Sequence, residues 1–84
     1  MPLQKYIEYW VEEVDEYGDI VDFLYQDNSL PEALKIARAY THETSHVEVE
    51  RVETWGNDAE GVVRRRYQDV DITTGKLTGD VLEG

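Results

Sequence analysis

From Leu3 to Val14 apolar and polar residues alternate with a period of two. Leu3, Ile7, Tyr9 and Val11 fall on one side, and Tyr6, Glu8, Trp10, Glu12 and Val14 on the other. The alternation predicts a strand. Asp15-Glu16-Tyr17-Gly18-Asp19 reads as a polar turn. Period two then resumes over Ile20 to Gln26, with Val21, Phe23 and Tyr25 against Ile20, Asp22 and Leu24, which predicts a hairpin. At Asn28 the period changes. Leu30, Ala33, Leu34, Ala37 and Tyr40 recur at helical spacing with Ile36 beside them, opposite Glu32, Lys35 and Arg38. Ser29-Leu30-Pro31-Glu32 has the form of a capping box, and proline is acceptable in a first turn because its missing N–H has no partner to lose. Val47 and Val49 restart period two, and the apolar phase slips to Val52 before returning at Trp55, which suggests a bulge near Arg51. Gly56 to Gly61 forms the next turn, and Val62 to Ile72 a fourth strand.

The order β-β-α-β-β predicts an α+β fold: a four-stranded, mostly antiparallel sheet with one helix packed on one face. Residues 73–84 form either a short extra strand, Leu77–Val81, or a loose tail. With strands one and four adjacent and parallel the arrangement is β-grasp-like; a meander with a packed helix is the competing topology. Eighty-four residues leave room for one domain, 1–84, because a chain of this size buries only ~60–65% of its unfolded surface. No cysteine is available to supplement that core, and no apolar run approaches the ~18 residues of a membrane span, so a cytoplasmic protein without a targeting segment is expected.

Charge changes the picture most. Nineteen acidic against eight basic side chains give a net charge of −11. Such a surface repels nucleic acids and anionic membranes, so neither is an expected partner. The acid either suits a solvated, halophilic-type domain without a charge-specific partner, or complements a basic surface on another protein.

Candidate chemistry is sparse. His42-Glu43-Thr44-Ser45-His46 satisfies the minimal H-E-x-x-H pattern of zinc metallopeptidases, in which one helix face presents both imidazoles and the glutamate activates a metal-bound water. The resemblance covers five residues. Thr41, Thr44 and Ser45 are poor helix formers, Val47 starts a strand pattern, and a third ligand would have to come from Glu50, Glu53 or Glu60, so a zinc hydrolase is the least favoured alternative. The acidic run Glu12–Asp19 lacks the ligand spacing of a calcium loop. On a strand Arg65 points away from Arg64 and Arg66, so the three do not form one basic patch; pairing with Glu8, Glu12, Glu48 or Glu50 of a neighbouring strand is expected instead. Neither a phosphate loop nor a nucleophile elbow is present, and no cofactor is expected.

Tyr6, Glu8, Trp10 and Glu12 share the strand face that the helix does not need. Aromatic side chains framed by acids suit a protein-binding surface, and these four residues are the binding candidates. Packing against neighbouring strands or a homodimer mate is the alternative use of Tyr6 and Trp10. The sequence thus supports a non-catalytic acidic interaction module, of the kind that inhibits by occupying a basic, nucleic-acid-type site.

Overall fold

The computed structural model describes residues 4–57 and 61–84. Its elements are β1 (Gln4–Val14), β2 (Ile20–Asp27), α1 (Leu30–Ala39), β3 (His46–Asn57), β4 (Gly61–Val70) and β5 (Leu77–Glu83). Leu3, expected to open the first strand, and Asp58-Ala59-Glu60 of the expected turn lie outside the described residues.

The helix begins where its cap places it. Ser29 has extended backbone and its Oγ accepts from the Glu32 N–H at 3.2 Å, a bond that typically contributes about 1 kcal/mol. The return half of the expected box belongs to another residue: the Ser29 N–H donates to the Tyr25 hydroxyl at 3.2 Å, so the preceding strand helps to cap the helix. Tyr40 ends it in extended conformation, with its N–H on the Ala37 carbonyl. Ala33, Leu34 and Ala37 are buried against Val11, Val49 and Val70, one valine from each of three successive strands.

The strand order is β2-β1-β3-β4-β5, with every neighbouring pair antiparallel. The class is α+β with one helix, as expected. The strand count is five rather than four, and the β-grasp-like arrangement is corrected: β1 lies beside β3, not beside a parallel β4. Length favours this neighbour, since β1 and β3 pair in unbroken register from Gln4↔Gly56 to Val14↔His46 and so satisfy both backbones over eleven residues. The terminal segment is a full strand, Leu77–Glu83, all of it exposed. No helix of the described chain is long and apolar enough to cross a membrane.

Register separates the two faces, because directly opposed residues point the same way. Tyr9, Val11, Tyr25, Val49 and Val70 meet the helix. The expected bulge near Arg51 is absent from the β1–β3 pairing. The phase slip has another cause: Val49 is buried under the helix and Val52, opposite Glu8 and Tyr67, is buried on the other face. Register shifts fall elsewhere: at Trp55/Gly56 between β3 and β4, at Tyr67/Asp69 between β4 and β5, and in the pairing of β1 with β2. Val11 pairs with Tyr25 and Glu12 with Phe23, so the skipped Leu24 moves Phe23 off the Tyr25 face and onto the helix-free one. Ile7, expected under the helix, is 37% exposed, because the ten-residue helix covers only the end of the sheet that carries Val11 and Val49.

Candidate functional site

On the helix-free face an apolar row crosses all five strands: Phe23 on β2, Trp10 on β1, Val52 on β3, Tyr67 on β4 and Leu82 on β5. Trp10 is its centre. The indole meets Phe23 edge-on at 5.8 Å and Tyr67 at 6.0 Å. The Arg65 guanidinium lies over it at 5.2 Å, and the indole N–H of Trp10 donates to Glu8 Oε1 at 3.3 Å. These contacts half-bury Trp10, while Phe23 at 44% and Leu82 at 63% leave both ends of the row open to solvent.

A second row runs beside the first. Glu12 pairs directly with Glu48 on β3, and Glu50, opposite Trp10, pairs with Asp69 on β4. Glu12 departs from the expectation of a surface acid: it is only 4% exposed, and its Oε1 has no hydrogen-bond partner. Burial, then the hydrogen bond to Glu50 and the charges of Glu50, Glu48 and Asp69, push its carboxyl up to about 8, so it keeps its proton at neutrality. Of the four residues singled out from sequence, Trp10 and Glu8 are joined by a hydrogen bond. Tyr6 is exposed and donates to Gln4 Oε1 at 2.6 Å, and Glu12 belongs to the carboxyl row. Phe23, Tyr67, Leu82, Glu50 and Asp69 were not legible as members of this face. Their place depends on the Leu24 bulge and on pairing across strands.

The three arginines divide as expected, with Arg65 on the helix-free face and the other two on the opposite one, but their carboxylate partner is different. Arg66 Nε donates to Glu83 at 2.8 Å and Arg64 approaches the same carboxylate at 3.5 Å, because β4 is flanked by β5 on that side. Arg64, Arg66 and Lys5 also surround the Trp55 ring, at 4.7, 5.5 and 5.7 Å. Arg66 foremost holds Glu83 below the usual carboxylate range, as Arg51 does for Glu53, which Lys5 also contacts. Between Asn28 and the first residues of β1, where β2 no longer pairs, a cleft of about 560 Å³ is lined by Lys5, Tyr6, Glu8 and Arg65 among others.

The HETSH segment does not assemble a metal site. The helix ends at Ala39, His42 lies in the following loop and His46 opens β3, so helical spacing never relates the two imidazoles. His42 stacks on Tyr40 at 6.3 Å and its Nδ1 accepts from the Thr44 N–H. Tyr40 and Ser45 both donate to Glu13 Oε2, at 2.7 and 3.0 Å, which fastens the loop to β1 and holds the Glu13 carboxyl below its ordinary value. Among the described residues no group of three or more His, Asp or Glu side chains is placed to hold a metal ion. No protein-family model matches the chain, and no curated protein or solved structure matches it either.

Proposed function

We propose that this is a non-catalytic interaction module whose helix-free sheet face docks on a basic surface of another protein, as an inhibitor of a nucleic-acid-type site would. The reading rests on one observation: an apolar row spanning five strands, open at both ends, lies against a row of four carboxyl groups. Aromatic anchors supply most of the energy at such surfaces, and flanking charge selects and steers the partner. Charge distribution supports the same reading. Among the described residues, Lys5, Arg64 and Arg66 gather at Trp55 and are paired with Glu53 and Glu83, while Glu12, Glu48, Glu50 and Asp69 form salt bridges with no lysine or arginine. A row of carboxyl groups left without a lysine or arginine is open to a cation from outside the chain.

Capture from extracts of the source cells tests it. The retained protein should be basic, and its binding should weaken about tenfold or more for a threefold rise in salt. Leu82→Ser and Glu8→Gln, both outside the core, should each release most of it. Retention that ignores both salt and these substitutions would contradict the proposal.

A further inference from the structure

We propose that Glu12, Glu48, Glu50 and Asp69 form the receptor for one arginine side chain of the partner, its guanidinium held by the carboxyl row and laid along the Trp10–Tyr67 aromatic edge. The inference rests on the docking reading of this face and names what the face takes.

Glu12 Oε1 is a buried acceptor that nothing in the described chain satisfies, in a residue only 4% exposed. Leaving such a group unpaired is costly, so a donor that reaches it recovers part of that cost. Among the described residues no lysine or arginine forms a salt bridge with these four carboxyls. The groups facing Glu12 are Phe23 from β2, Glu48 and Glu50 from β3, and Asp69 from β4, with His46 beside Glu48 at 3.9 Å. Arg65 is committed to Trp10 and Thr54, and Arg51 lies on the other face with Glu53.

Geometry selects the kind of cation. A metal ion needs its oxygens within about 2–2.6 Å of a single point, and these carboxyls do not converge in that way. A guanidinium spreads five donors over a rigid plane, so it reaches carboxyls on adjacent strands at once, and it stacks on aromatic rings as an ammonium does less well. The molecule already carries one example, the Arg65 guanidinium over the Trp10 ring.

Occupation moves a proton. In the empty site Glu12 holds one, favoured by burial and by the three carboxyls around it. An arriving guanidinium favours the ionised form, so the complex forms as arginine binds and the Glu12 O–H proton passes to solvent. Charge balances: one cation enters and one proton leaves. Affinity therefore rises with pH until the empty site is itself ionised, near 8.

A tetra-arginine peptide at low salt is the probe, titrated calorimetrically in phosphate and in Tris, whose ionisation heats differ. Near neutral pH about one proton should leave per peptide bound, and affinity should rise about tenfold per pH unit below 8. Glu12→Gln, with its fold verified by circular dichroism, should abolish both, and tetra-lysine should bind several-fold more weakly. Binding without proton release, proton release that persists in Glu12→Gln, equal affinity for tetra-lysine, or no binding of the peptide overturns the receptor. None of these touches the docking face, which is tested separately by partner capture with added salt and with Leu82→Ser and Glu8→Gln.

Discussion

Glu12→Gln is expected to stabilise the protein by roughly 2–4 kcal/mol at about pH 8.5 and to change its stability by less than about 1 kcal/mol at about pH 5. In the folded chain this carboxyl keeps its proton up to about 8, whereas in the unfolded chain it loses it near the ordinary 4.5. Between those values the folded state binds more protons than the unfolded one. Stability therefore falls as pH rises through that window, and the loss is complete above its upper end. Glutamine keeps the volume and a polar terminus but cannot ionise, so it removes the loss. The opposite slope comes from Glu13, Glu53 and Glu83. Their carboxyls lie below the ordinary range, held there chiefly by Tyr40, Arg51 and Arg66 respectively, and their contribution disappears as pH falls below 4.5. Wild-type stability should thus peak on the acid side of neutrality. Urea denaturation across pH, on both proteins, checks this, and parallel profiles would show that Glu12 titrates normally.

Leu34→Ala should cost about 2–4 kcal/mol and lower the Tm by about 10–20 °C. Only this face of the sheet has a helix to cover it, and the core beneath is made of small side chains: Val11, Ala33, Ala37, Val49 and Val70. Leu34 is the largest buried side chain of that cluster, only 8% exposed. The space it leaves cannot close easily. The loop after β4 comes close enough that a Cβ at Gly75, where φ is +76°, would stand 3.1 Å from Leu34 Cδ1, so backbone as well as side chains forms the wall. A domain this small holds on the order of 5 kcal/mol in total, and losing over half would leave a sizeable unfolded fraction at body temperature. Thermal unfolding followed by circular dichroism gives the result, and a fall of under about 4 °C would mean that the helix is not seated on these valines.

What could be read in advance follows from how local each signal is. The helix start was legible because Ser29 acts on a backbone N–H three residues away, and the shared face of Tyr6, Glu8, Trp10 and Glu12 because strand geometry repeats every two residues. Strand order was not legible. Nothing near Val14 states that its strand will meet His46 rather than the fourth strand, and β5 is exposed throughout, so it has no buried side to leave a pattern. Val52 mimics a bulge in the sequence because a strand that buries both faces loses its alternation. The candidate site failed in the same way. Glu12 looked like any other surface acid until register set Glu48, Glu50 and Asp69 around it, and Phe23 joined Trp10 only because the chain skips a residue at Leu24.

The central claim is that the helix-free face binds a basic partner. Hydrogen–deuterium exchange of the free protein and of its complex with the captured partner measures this most directly. Protection is predicted over Phe23, Trp10, Tyr67 and Leu82, with the helix Leu30–Ala39 and the Tyr40–Ser45 loop unchanged. Protection confined to the helix and that loop would contradict the claim.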